Sequence, residues 1–296
     1  MSDKLIKALA YNDEIRVYVV DATEMVKEAQ RRHDSWNTAT AALGRAMIGS
    51  TLLASGEKGD SKLTVRIDGN GPIGYIVVDS NAKGDTKGYI HNPQVSLELN
   101  ENGKLDVRGA VGTEGNLIVT KDIGMKEPFV GQVPLISGEL GEDFTYYLAN
   151  SEQIPSAVGL SVLVNPDETV RTAGGFMIQV LPGASEKTLV SLEKTIANLP
   201  LVSDLMDSGK TPEDLLEMLA DEGNPRIIDE QPVQFKCDCS KERFANSLVS
   251  LGEDDLKEMI EQDHGAEAVC HFCRTKYTFT EDELKEILSE IQELNK

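Results

Sequence analysis

The cysteines constrain this chain more than any other feature. None occurs before residue 237, and all four fall within "FKCDCSKER" (235–243) and "VCHFCRTKY" (269–277). In an extended segment residues i and i+2 point to one side, so Cys237 and Cys239 can grip one ion together. A C-x-x-C turn does the same for Cys270 and Cys273. Two converging pairs make a four-sulfur tetrahedral site, a donor set that selects zinc, with iron the lesser match. The gap between the pairs exceeds the ordinary spacing of such ribbons. Helices suggested by "ERFANSLVSLG" and "EDDLKEMIEQ" would fill it.

The rest of the chain narrows the setting. At 296 residues it has room for one sizeable domain and a smaller one, and 40% hydrophobic residues suffice for a packed core. A net charge of −21 with no cluster of Lys and Arg argues against nucleic acid as a partner. The start, "MSDKLIKALAYNDEIRVYVV", lacks the unbroken apolar stretch of a signal peptide. No run approaches the roughly 18 apolar residues that cross a bilayer, so no membrane partner is expected. The expected location is the cytoplasm, where thiols stay reduced and clustered cysteines indicate metal or redox chemistry.

Pattern along the chain predicts an α+β fold: a mostly antiparallel β-sheet domain with packed helices over 1–181, a helical linker over 182–232 and a small zinc-binding domain over 233–296. After "IRVYVVDA", Asp21 and Glu24 form a capping pair for a helix running toward His33. The helix of "NTATAALGRAMIGSTLLAS" carries small residues that let it lie close to a sheet. From Ser61 to about Val180 the texture is β-rich, as in "KLTVRID", "IGYIVVDS", "KGYIHN", "KLDVRGAV", "NLIVTKDI", "FVGQVPLI", "VGLSVLV" and "GGFMIQVL". The connections are too short for parallel crossovers.

In the linker, Leu189, Leu192, Ile196 and Leu199 mark one helical face, stopped by Pro200. Thr211, Pro212 and Asp214 open a second helix bearing Leu215, Leu216, Met218 and Leu219. The plainest reading is a helical hairpin docked on the sheet. The tail closes on a helix with Thr280 and Glu283 as a capping box and Leu284, Ile287, Leu288, Ile291 and Leu294 as its apolar stripe.

Other motifs fail on context. "GNGPIG" (69–74) leads into a strand and contains Pro72, so it is a hairpin turn and not a dinucleotide fingerprint. "SGKTPED" lacks the first glycine of a phosphate loop. His33 and His91 read as surface or turn histidines and His264 as solvated. His271 sits inside the second pair, but four thiolates already complete a tetrahedron. Haem attachment needs the histidine after the second cysteine. A thioredoxin-like enzyme needs its C-x-x-C at a helix start beside a βαβ unit.

Two readings of the tail then stand: a purely structural zinc ribbon, and a redox switch. A segment of this size has about 3–9 kcal/mol of stability at typical values per residue. Structural zinc is worth about 10–16 kcal/mol of apparent binding free energy. Loss of the ion should therefore unfold the tail. Paired cysteines offer a route, because each disulfide removes two ligands at once.

The C-x-C-S-x-E-R of "CDCSKER", the C-x-F-C of "CHFC" and the following "YTFTEDEL" resemble the bacterial redox-regulated 33 kDa heat-shock chaperone family. "NSEQIPSAVGLSVLV" and "AGGFMIQVLPGA" do so as well, and the likeness runs through essentially the whole chain. The resemblance implies an ATP-independent holdase, silent when reduced and loaded with one Zn2+ on Cys237, Cys239, Cys270 and Cys273. It further implies that oxidation joins Cys237 to Cys239 and Cys270 to Cys273 and releases the ion. The tail then unfolds, the linker loosens and apolar surface meets unfolding client proteins. Active members are homodimers, and they pass clients to ATP-dependent foldases. The client surface expected here is the linker, with Leu192, Ile196, Leu215 and Leu219 as its anchors, together with the sheet face beneath it. An enzyme is the weaker class, since no catalytic constellation is visible.

Overall fold

Alternating apolar residues in "KLIKALA" and "IRVYVVD" fold into a hairpin of β1 (Lys4–Ala10) and β2 (Ile15–Asp21). The computed structural model describes residues 3–294, apart from the side chains of Asp221, Glu293 and Leu294, so Leu294 of the expected stripe lies outside the described side chains. Two compact units result, Met1–Lys236 and Cys237–Lys296.

In the first unit the hairpin is followed by α1 (Thr23–His33), α2 (Asn37–Ala54), β3 (Lys62–Gly69), β4 (Tyr75–Asn81) and β5 (Asp85–Ile90). Then come α3 (Val107–Val111), β6 (Gly115–Asp122), β7 (Phe129–Pro134), α4 (Gly141–Asn150), β8 (Ser156–Val164) and β9 (Val170–Val180). The linker supplies α5 (Glu186–Asn198), α6 (Val202–Asp207), α7 (Pro212–Ala220) and β10 (Arg226–Pro232), and β11 (Gln234–Phe235) follows it. Two sheets form, in the orders β10-β1-β2-β9-β8 and β11-β5-β4-β3-β6-β7. Every pairing is antiparallel except β11 with β5, which gives the α+β class expected.

Helix α2 packs against strands of both sheets and is buried along almost its whole length. Its small residues permit this: a Cβ on Gly49 would stand 2.4 Å from the Phe144 ring. Its buried hydroxyls are satisfied across the interface, Ser50 with Ser80 at 2.9 Å and Thr51 with Thr86 at 2.8 Å. The main core lies around this helix. On the other face of the first sheet, α5, α6 and α7 cover Ile6, Ile15, Val17 and Ile178 with a second apolar cluster.

Several local expectations are corrected. "KLDVRGAV" is not a strand: the Asp106 carboxylate accepts from Gly109 N–H at 2.8 Å and starts the short helix α3. "GEDFTYYLAN" interrupts the β-rich stretch as α4. The linker is helical only to Ala220, and its end is β10, which takes up the free edge of β1. Residues 233–236 belong to the first unit, with Lys236 N–H donating to the Thr86 carbonyl at 2.9 Å. His33 is buried and not a surface residue, because the end of α1 turns inward. Of the expected Asp21–Glu24 cap of α1 only half forms: Asp21 accepts from Thr23 N–H at 3.1 Å, while Glu24 pairs with Lys27. Asp3, from the start of the chain, accepts from Glu24 and Met25 N–H at 3.0 and 2.7 Å.

The second unit holds α8 (Lys241–Val249), α9 (Glu253–Glu258) with a wider turn at Met259–Asp263, β12 (Gly265–Val269), β13 (Lys276–Thr280) and α10 (Glu281–Leu294). β12 and β13 form an antiparallel pair. Its core is small: Leu256, Ile260, Phe279, Leu284, Ile287 and Ile291 are its buried members.

Candidate metal and redox centre

The two cysteine segments are positioned by different devices. Cys270 and Cys273 sit in the turn between β12 and β13, where Cys270 N–H donates to the Thr275 carbonyl at 3.0 Å and Arg274 N–H to the Cys270 carbonyl at 2.8 Å. Arg274 takes a left-handed φ of 59°, which reverses the chain within two residues of the second sulfur. Cys237 and Cys239 precede α8, whose N-cap Ser240 accepts from Arg243 N–H at 3.2 Å. Arg243 reaches back to Asp238, donating to its carboxylate at 2.6 Å and its carbonyl at 3.0 Å. The residue between the two thiols is thereby held to the first turn of the helix.

The four sulfurs lie within 4.8 Å of one another. The separation is 3.8 Å for Cys237–Cys270 and 3.3 Å for Cys239–Cys273. A tetrahedron with metal–sulfur bonds of about 2.3 Å has edges of about 3.8 Å. The donor chemistry and the spacing therefore fit a four-thiolate metal site. His271 is outside the cluster, as the sequence suggested.

Electrostatics divide the thiols. Burial pushes the Cys237 and Cys270 thiols up, against the backbone N–H groups of Cys239 for the first and of Cys273 and Phe272 for the second. Burial also opposes ionisation of Cys273, but the Thr275 hydroxyl and N–H outweigh it and bring it down to about 6. The Cys273 sulfur is 3.2 Å from the Thr275 hydroxyl. The Tyr277 hydroxyl donates to the Cys239 carbonyl at 3.1 Å and lies 3.2 Å from its sulfur. Phe244 packs on the Tyr277 ring, centroids 5.1 Å apart. Sequence reasoning missed Thr275 and Tyr277. Their only signal is the position of "TKY" directly after the second pair.

The other residues singled out lie in the first unit. Leu192, Leu215 and Leu219 are buried and Ile196 partly buried in the cluster between the connector helices and the first sheet. That docking is fastened at its rim. Lys4 pairs with Glu213, the Glu14 carboxylate accepts from Ser185 N–H at 3.1 Å, and Tyr11 N–H donates to the Gly223 carbonyl at 2.7 Å. The Thr211–Asp214 and Thr280–Glu283 capping boxes form as expected. No described helix is long and apolar enough to cross a membrane.

Fold and centre together define a two-unit α+β protein that carries a cluster of four thiols, able to hold a metal ion, on its small C-terminal unit. The family model described as Hsp33 protein matches residues 3–280. The 33 kDa chaperonin of Enterococcus faecalis is 58% identical over 290 residues, 98% of this chain and 97% of its own. That of Levilactobacillus brevis is 59% identical over 293 residues, 99% of each chain. The crystal structure of the 33 kDa chaperonin of Thermotoga maritima superposes with a TM-score of 0.92 at 40% identity, covering 99% of this chain and all of that one. The chain belongs to the Hsp33 family, and its function is that of a chaperone.

Proposed function

We propose that this chaperone is a redox-regulated, ATP-independent holdase of the cytoplasm, with Cys237, Cys239, Cys270 and Cys273 as the ligands of one Zn2+ in the reduced state. The observation that carries the reading is the placement of all four thiols, gathered within 4.8 Å, in the unit with the smaller core. When bound, zinc cross-links the two cysteine segments and adds about 10–16 kcal/mol to a fold that packing alone leaves marginal.

The switch lies in the thiols. One peroxide takes two electrons from each pair, forms the Cys237–Cys239 or Cys270–Cys273 bond and is itself reduced to two waters, with the two protons drawn from the thiols or, where a metal would hold them as thiolates, from solvent. Each such bond removes two of the four donors, and the pair of them removes all four. The small core then loses its cross-link, and the loosened connector no longer stays on the sheet. Leu192, Ile196, Leu215 and Leu219 leave the cluster together with the sheet face they cover. Exposing such surface costs about 25 cal/mol per Å2, which keeps it docked until the neighbouring unit fails. Once exposed, a face of Leu and Met side chains accepts many unfolded segments without a fixed shape. The excess of acidic residues keeps the loaded chaperone soluble. The active form is a homodimer, and clients pass to ATP-dependent foldases when reducing conditions return.

Titrating the reduced, zinc-loaded protein with peroxide at raised temperature tests this. Zinc release to a chromogenic chelator and suppression of client aggregation are expected to rise together and to reverse with thiol reductant and zinc. Retention of the metal would favour a zinc-stabilised interaction module. Catalytic turnover of a disulfide substrate would favour a thiol oxidoreductase. Polar replacements of Leu192, Ile196, Leu215 and Leu219 that leave the oxidised protein's holding activity intact would remove the connector from the client surface.

A further inference from the structure

The two large sheets end in four edge strands, and three are protected against pairing with other chains. β10, "RIIDEQP", carries Arg226, Asp229 and Glu230 and ends in Pro232. β7 is short and ends in Pro134, and β11 is two residues long. β8 differs. Its nine residues, "SAVGLSVLV", contain no charge and no proline.

Only the first part of that edge is covered. The Thr145 hydroxyl of α4 accepts from Val158 N–H at 3.0 Å, and a Cβ on Gly141 would lie 3.2 Å from the Val158 carbonyl. Val158 therefore turns its backbone polar groups away from β9. With the two-residue period of an antiparallel strand, Leu160 and Val162 turn theirs the same way. No described residue hydrogen-bonds to those outward groups. They open into a groove of about 750 Å3 with apolar walls that include Leu99, Leu105 and Leu201. Leu99 and Leu201 are 60% and 43% exposed. The groove's mouth is acidic. Glu142 and Asp204 stand there with no recorded ion pair, against Lys104 alone, since Arg45 is engaged by Glu139 at 2.6 Å.

We propose that the β8 edge is a second client site, which captures an extended, alternating apolar segment of an unfolded chain, flanked by basic residues, as an added strand. Backbone pairing at Leu160 and Val162 supplies affinity that is indifferent to sequence, the leucine walls take alternate side chains, and the acidic mouth holds the flanking cations. Its backbone edge and Glu142 lie outside the connector, whose Leu201 and Asp204 line the groove only while docked, and the site rests on the holdase reading only in taking the bound segment to be a client's.

The test uses the full-length oxidised protein and a fluorescent ten-residue peptide of alternating valine and threonine with two lysines at each end. Saturable binding is expected, and N-methylation through the peptide's central residues should weaken it at least tenfold without touching the protein. Leu160→Pro removes an outward N–H but no bond to β9, and should weaken binding similarly. Glu142→Lys should weaken the lysine-flanked peptide several-fold and favour a glutamate-flanked one. Equal binding of the plain and N-methylated peptides, or no effect of Leu160→Pro, would overturn the proposal. So would conversion of a dimer to a monomer by Leu160→Pro with peptide binding unchanged, because the edge would then belong to a second copy. If the wild-type oxidised protein fails to suppress aggregation yet binds the peptide as described, the holdase reading falls and the strand site stands.

Discussion

The two units differ in what holds them together. The first surrounds α2 with a continuous core from two sheets and adds a second apolar cluster under the connector helices. Among its described residues the second has a core cluster of six buried hydrophobic side chains, and it carries four thiols. Burial scales with chain length, and packing alone leaves a segment of this size marginally stable. The contrast teaches where a chemical signal can act. An oxidant finds no cysteine in the first unit and finds all four in the second, which is the basis of the switch proposed above.

Chelating the metal from the reduced protein is the strongest way to break that contrast. The tail should lose its amide-exchange protection while the two-sheet unit keeps its own, consistent with an ion worth about 10–16 kcal/mol. Protection retained in Leu256, Phe279 and Leu284 after chelation would show that the small core suffices. Next in size is Leu219→Ala, at a fully buried contact between α7 and the first sheet. It should cost about 2–5 kcal/mol and lower the oxidant dose at which holding activity appears. An unchanged dose would separate connector docking from activation.

Tyr277→Phe sharpens the comparison at the centre itself. Without its hydroxyl the Cys239 carbonyl and sulfur lose a neighbour at 3.1 and 3.2 Å. The reduced protein should lose thiols to peroxide a few-fold faster, by thiol titration, with the first unit's melting unaltered.

The smallest effect expected belongs to the first unit and to acid. Burial pushes the Glu152 carboxyl up, but Lys121 at 2.8 Å and the Tyr147 hydroxyl at 2.5 Å outweigh it and hold it below its ordinary value of 4.5. A depressed carboxyl stabilises fully above its unfolded value, and that contribution is lost as pH falls through the folded one. The urea midpoint of the two-sheet unit should therefore drop below about pH 4.5. Glu152→Gln should flatten that dependence without altering the peroxide response of the tail.

Much of this was legible locally. Spacing marked the four cysteines as a candidate ligand set, while the Thr211–Asp214 and Thr280–Glu283 boxes announced their helices and Pro200 ended α5, because each of these last is an interaction between residues within one or two turns. Asp3 was not legible as the cap of α1, since it reaches Glu24 and Met25 only after β1 has paired beside β2. Nor was β10: "RIIDEQP" has almost no buried side, and what makes it a strand is the vacant edge of β1. The centre was legible as four ligands but not as a set of four environments. Thr275 and Tyr277 become neighbours of the sulfurs only when β13 folds back on β12.

The sequence by itself determined the chemistry available: four thiols confined to the tail, a small-residue helix able to lie between sheets, and an uncharged β8. Tertiary structure decided which of these are exposed and which are joined. It buried the connector leucines against the sheet, drew sulfurs from two segments to within 4.8 Å and left one half of the β8 edge open. The division has one physical reason. Residue type and short-range spacing are written along the chain, whereas burial, edge pairing and the approach of distant donors depend on where other elements come to rest.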